Sequence, residues 1–319
     1  MNEPISNEQA APFLKRLAIY FSERFPVVKH GVVIAAFGAS AACLSAMMRG
    51  AEAGPSVHAV IVAIVVLFLL FFQLRVSDEH KDFDEDALFR PERAVPRGLI
   101  SLVELRRLAY GAAVLQIVLT WTLHPPLMLL LIAVWGWMAL MTVEFFVPIW
   151  LQARPIAYMV SHMAVMPLID LYATATDWLP AGGKPTEFAL PLGAFLALSF
   201  VNGAALEIGR KSWAPEMERE GVETYSKLWG ARRAGWVLVA IIWIGFVLSV
   251  VVNLHSAAPL HYLTFLVIAA VYAAWTAASY ALAPTPKTAG RIETAAGSFV
   301  ALNYLALGVL PMGELLWLS

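Results

Sequence analysis

The chain has 319 residues, of which 60% are hydrophobic and 14% charged, with a formal net charge of −1 and a mean hydropathy of +0.70. Soluble domains carry about 25% charged residues. These values exclude an ordinary soluble globule and a disordered chain, and also a nucleic-acid binder, which needs a basic surface for phosphates. The single cysteine, Cys43, excludes an internal disulfide framework and a Cys-rich zinc site. What remains is an all-α integral membrane protein.

In chain order, residues 1–27 come first. The stretch PFLKRLAIYF (12–21) puts Phe13, Leu14, Leu17 and Phe21 near one helix face, the pattern of a helix lying in the membrane interface. A spanning helix needs roughly 20 mostly apolar residues. Nine such stretches follow, at 28–48, 56–74, 106–123, 126–146, 156–176, 188–206, 235–254, 260–282 and 296–318. Their apolar runs are continuous, unlike the alternating strands of a barrel. The predicted architecture is one nine-helix membrane domain over 28–319, with cytoplasmic loops at 75–105 and 207–234 capping a central cavity.

Lysine and arginine set the predicted orientation, because cytoplasmic loops retain them. With nine spans, twenty of the 22 fall on one side and only Arg49 and Lys184 on the other. This places the N-terminus in the cytoplasm and the C-terminus outside a cell membrane crossed many times.

The first charged loop reads QLRVSDEHKDFDEDALFRPERAVPRG (73–98). Asp78, Asp82 and Asp86 recur every four residues, which on one helix places them on one face. Like charges so spaced destabilise a helix unless neutralised. A divalent cation held by carboxylates and bridging to substrate phosphates supplies that neutralisation. Arg90, Arg93 and Arg97 follow; arginine forks match phosphate geometry, and positive-inside topology also places arginines here. A solvated acidic loop is the bland alternative.

The second loop reads NGAALEIGRKSWAPEMEREGVETYSKLWG (202–230). Glu207 closes span six, with Lys211 four residues on. Glu216 and Glu220 follow Pro215, which predicts a short helix ending at Gly221. Asp78 and Glu207 then both lie at cytoplasmic span ends, facing one another across the cavity. Glu144, His162 and Asp170 are further ionisable groups near or inside spans, candidates for acceptor binding or proton removal; the spacing lets His162 and Asp170 share a face.

At these residues the chain resembles the UbiA superfamily of intramembrane prenyltransferases, nine-helix bundles with two aspartate-rich motifs. The first motif, N-D-x-x-D-x-x-x-D followed by R-P-x-R-P, is matched by DEHKDFDED (78–86) and RPERAVPRG (90–98); Asp78 replaces the Asn and Glu79 the first Asp. EFFVPIWLQARP (144–155) and VMPLID (165–170) resemble the family's fourth loop and its proline-containing fifth span. The second motif, D-x-x-x-D, is here EIGRK (207–211), so Lys211 stands where a carboxylate is usual. Either Lys211 contacts a diphosphate as a point charge, or Glu216 and Glu220 supply the second metal's ligands.

The resemblance implies a prenyl diphosphate substrate and Mg²⁺. It assigns Asp78, Asp82, Asp86 and Glu207 to metal and catalysis, with Glu216 as a further ligand. It assigns Arg75, Lys81, Arg90, Arg93, Arg154, Arg210 and Lys211 to the diphosphate; simple pairing with a carboxylate is the other reading for Lys81. Two reactions fit. A transferase hands the prenyl cation to an aromatic or lipid acceptor, whereas a terpene cyclase of the same superfamily hands it to the tail's own double bonds. A non-enzymatic carrier fits poorly, because the carboxylates cluster at one membrane face and no pair of broken helices in repeated halves is evident.

Overall fold

The computed structural model describes residues 10–51 and 53–318; the first nine residues of the expected N-terminal segment lie outside the described residues. That segment otherwise forms α1 (Phe13–Arg24). Then come α2 (Val27–Met48), α3 (Val57–Lys81), α4 (Phe83–Phe89), α5 (Leu102–Leu123), α6 (Met128–Thr142), α7 (Pro148–Gln152), α8 (Pro155–Met163), α9 (Val165–Trp178), α10 (Ala189–Arg210), α11 (Tyr225–Trp229), α12 (Ala231–Leu254), α13 (Tyr262–Leu282), α14 (Pro286–Leu307) and α15 (Val309–Leu318). No strand occurs among the described residues.

Local chemistry explains where the helices begin. The Ser56 hydroxyl accepts from the Ala59 N–H at 3.1 Å and starts α3. Ser101 and Glu104 form a reciprocal capping box at α5. Thr285 and Thr288 do the same at α14, with Pro286 in its first turn.

Eight helical segments among the described residues are long and apolar enough to cross a membrane. The expected third span, at 106–123, is α5. It has a spanning length of 22 residues but also carries Arg106, Arg107 and Gln116, and it is not among the eight. Three expected spans change shape. The fourth ends at Thr142, and Glu144, Phe145 and Phe146 turn away with φ of 48°, 52° and 61°. The fifth breaks at Ala164 into α8 and α9. Pro167 causes this break: its ring crowds the carbonyl of Met163 and it offers no N–H. The last begins ten residues early, at Pro286, and breaks at Gly308, where Pro311 meets the carbonyl of Leu307 in the same way.

In lipid, helices gain little from hydrophobic association, so close backbone approach over small residues matters more. Gly235 of α12 lies against Ala277 and Ala281 of α13, and Gly209 of α10 against Ala296 of α14. Gly308 is the extreme case: a Cβ there would stand 2.3 Å from the Ser40 carbonyl oxygen.

Polar contacts sort the loops to two ends of the bundle. At one end Arg49 pairs with Asp177 at 2.9 Å, the Ala257 N–H donates to the Met47 carbonyl, and His261 pairs with Glu314. At the other end α1 is tied down by Arg16–Glu104, Arg24–Glu79 and Arg97–Glu23, each at 2.7 Å. Both acidic loops belong to this second end.

Candidate active site

The first acidic motif does not form one helical face. α3 ends at Lys81, Asp82 is its C-cap at φ −91° and ψ 7°, and Phe83 starts α4. Asp78 and Asp82 remain together, each within the other's electrostatic reach. Asp78 is half exposed with Arg75 3.7 Å away, and the Asp82 side chain makes no hydrogen bond or ion pair among the described residues. Asp86 does not continue the row. It sits on α4, buried, and both its oxygens accept from Arg93 at 2.6–2.7 Å while Oδ1 also accepts from Arg90 at 3.0 Å. Arg90 and Arg93 thus neutralise Asp86. Glu79, also buried, accepts from Arg24 Nε at 2.7 Å.

The second loop brings Glu207 into place at the end of α10, where Arg210 and Lys211 pair with it at 2.6 and 3.0 Å. No helix runs from Pro215 to Gly221. Only the 3-10 turn Pro215–Met217 forms, and Glu216 and Glu220 are exposed. Glu218 turns inward instead, accepting from the hydroxyls of Thr224 and Ser226 at 2.7–2.8 Å. Those bonds, with the Thr224 cap on Lys227 N–H, fix α11 and place the buried Tyr225. Burial, and then the nearby Glu207 carboxylate, push the Tyr225 phenol up, so it keeps its proton.

The loops meet. Gly221 has φ +72°, and a Cβ there would stand 2.8 Å from the Phe89 ring. Arg210 feels the charge of Asp78 as well as that of Glu207. Partial burial, and then the negative charges of Asp82, Asp86 and Glu223, push the Glu85 carboxyl up. Of the sequence-predicted set, the fold therefore groups Asp78, Asp82, Arg75, Glu207, Arg210 and Lys211. It turns Asp86, Arg90 and Arg93 into a buried pairing, leaves Glu216 on the surface, and stacks the exposed Arg154 on Trp150 at 4.6 Å.

Lys81 points from the end of α3 toward Glu144, at 3.1 Å, and donates to the Tyr158 hydroxyl. Sequence reasoning missed Tyr158, although it precedes His162 by one helical turn. It also missed Arg24, whose partner Glu79 lies far away in the chain, and Glu218 and Tyr225, which the loop after α10 folds inward. His162 and Asp170 do not share a face. The α8–α9 break sends His162 to Glu144, while the buried Asp170 accepts from the Tyr304 hydroxyl.

No group of three or more His, Cys, Asp or Glu side chains among the described residues is placed to hold a metal. Magnesium does not require one. It binds through one or two carboxylates and completes its shell with water and substrate phosphate. Asp78 and Asp82, adjacent and with lone pairs to spare, fit that mode.

No curated protein sequence matches the chain. A solved structure described as digeranylgeranylglyceryl phosphate synthase in membranes matches in fold, with TM-score 0.64 and 16% identity, over 94% of this chain and 99% of that one. The model of the UbiA prenyltransferase family matches residues 24–303. By that match, which takes in both acidic loops and the helices carrying them, the chain belongs to the UbiA prenyltransferase family.

Proposed function

We propose that the protein ionises a prenyl diphosphate at the end of the bundle where the two acidic loops meet, and transfers the isoprenoid tail to an acceptor. The observation that carries this reading is the meeting itself: Asp78, with Asp82 beside it, lies within electrostatic reach of Arg210, which together with Lys211 pairs with Glu207. Breaking the prenyl C–O bond leaves negative charge on diphosphate. Arg210, Lys211, Arg75 and Lys81 supply fixed positive charge where it develops. Asp78 and Asp82 would hold magnesium, which neutralises the diphosphate oxygens when bound. Glu207 keeps Arg210 and Lys211 extended toward the site, so Lys211 contributes charge where the family's second motif has a carboxylate. The apolar bundle takes the tail and keeps water from the cation.

The test is turnover of geranyl, farnesyl and geranylgeranyl diphosphates with Mg²⁺, with and without hydroxylated acceptors. Diphosphate release that depends on an acceptor supports the transferase. Release with a cyclic hydrocarbon and no acceptor makes the protein a cyclase instead. Asp82→Asn should lower release at least 100-fold while the protein elutes and melts like wild type; unchanged release would remove the carboxylate pair from the mechanism.

A further inference from the structure

The second acidic motif departs from the family pattern at Lys211, four residues after Glu207 at the end of α10. Lys211 Nζ pairs with Glu207 Oε1 at 3.0 Å, and Arg210 Nη2 with Oε2 at 2.6 Å. Each carboxylate oxygen therefore already has a cation. A basic residue at a helix C-terminus is favoured by the dipole alone. The dipole does not require two neighbouring cations to close on one carboxylate. Their backbone is held as well. The Trp213 indole N–H donates to the Arg210 carbonyl at 3.1 Å, and the Tyr225 N–H to the Lys211 carbonyl at 2.9 Å.

Among the described residues of this loop, no other carboxylate joins Glu207. Glu216 and Glu220 are exposed. Glu218 is occupied by the hydroxyls of Thr224 and Ser226. Glu223, also exposed, lies within electrostatic reach of Glu85 on α4. The charges acting on Glu207 are those of Arg210 and Lys211. Two carboxylates in this position would need a divalent cation merely to reach neutrality. One carboxylate with two cations already carries a single positive charge. The side chains of Arg210 and Lys211 are 59% and 36% exposed, so both remain open to an anion, and Arg210 is within electrostatic reach of Asp78.

Resting on the prenyl-transfer reading, we propose that the Arg210–Lys211 pair stands in for a second divalent cation. The site then takes one magnesium per chain, on Asp78 and Asp82. Glu207 is a positioning residue that holds the two cations, and it is not a metal ligand. The ammonium and guanidinium meet the diphosphate oxygens on the α10 side, where negative charge develops as the prenyl C–O bond breaks. Lysine acts there as a point charge and arginine as a fork. Diphosphate binding then rises with the first power of magnesium activity.

The experiment uses the full chain in nanodiscs of neutral phosphatidylcholine. It counts Mn²⁺, a paramagnetic substitute for Mg²⁺, held in the presence of inorganic diphosphate. Using the leaving group alone makes tail length irrelevant. Equilibrium dialysis gives the ions retained per chain, and empty nanodiscs give the background. Wild type should hold one Mn²⁺. Lys211→Asp frees Glu207 Oε1 and sets two carboxylates one helical turn apart, so it should hold two. Asp82→Asn should hold none. Lys211→Gln should still hold one, with diphosphate bound about 10-fold more weakly, the value of one charge-assisted contact. Glu207→Gln, nearly isosteric, should leave Mn²⁺ affinity unchanged. Melting temperatures in the same nanodiscs identify any variant that has not folded, and the counts for wild type and Glu207→Gln then decide. Two ions in wild type, one in folded Lys211→Asp, one retained by Asp82→Asn, or a weaker Mn²⁺ affinity in Glu207→Gln overturns the proposal and leaves prenyl transfer standing. A wild type that holds one Mn²⁺ but releases no diphosphate from any prenyl substrate sinks the prenyl-transfer reading instead, and the ion count stands. A wild type that holds none overturns both.

Discussion

Arg24 shows how one residue far from the acidic motif governs it. Its guanidinium meets Glu79 at 2.7 Å and lies 4.0 Å from Asp86, and both carboxylates are buried. Removing one partner of a buried pair costs far more than the pair contributes, because the remaining charge cannot recover its water. Arg24→Ala should therefore lower stability by about 3 kcal/mol, read as a falling melting temperature in detergent. Arg24→Ala combined with Glu79→Gln should recover much of that loss, since the orphaned charge is gone. A single variant as stable as wild type would show that Glu79 finds water or another cation. Asp86, which stands in register in the sequence, is held the same way: Arg90 and Arg93 fill both its oxygens.

At the scale of elements, α1 behaves as a strap over the loop after α3. Arg97 and Glu23 close it at 2.7 Å. Arg97, by hydrogen bond first, holds the Glu23 carboxyl below the usual carboxylate range. The sign follows directly: the pair contributes above the unfolded carboxylate value and is lost as pH falls through the lowered folded value. Both groups are about a third exposed, so the contribution is small, about 0.5 kcal/mol, and salt weakens it. Proteolysis after α1 should quicken below about pH 4 and at high salt, and Glu23→Gln should abolish that pH dependence. Where helices break, prolines and one glycine decide the geometry. Gly308→Ala puts a methyl group against the Ser40 backbone, which cannot swing aside as a side chain would. A loss of 2 kcal/mol or more is expected, about the cost of overpacking a core; a variant with wild-type melting behaviour would mean that α15 is free to shift.

For the whole molecule, the two ends differ in chemistry. The end with the acidic loops gathers nearly all the lysines and arginines, and the other holds Arg49, clamped by Asp177. Positive residues stay on the cytoplasmic side during insertion. Cysteines introduced as Asp84→Cys and Lys184→Cys, in a Cys43→Ala background, should therefore react with impermeant reagent from opposite sides of the membrane, Asp84→Cys only after the cells are opened. Labelling of Asp84→Cys in intact cells, with Lys184→Cys reacting only after the cells are opened, would invert the orientation and put the site on the wrong face for a cytosolic diphosphate.

Some of this was legible without coordinates. Continuous apolar runs dictate helices and membrane, since a backbone in lipid must bond to itself. The pairing of an Asp row with Arg-Pro-x-Arg marked the family. The tertiary structure alone decided which carboxylates are free. Spacing every four residues is a helical face only while the helix continues, and it stops at Asp82. The partner that neutralises Glu79, and the pairing of Lys81 with Glu144, depend on side chains brought together from distant segments. No periodicity records such meetings, because charge neutralisation depends on distance through space and not along the chain.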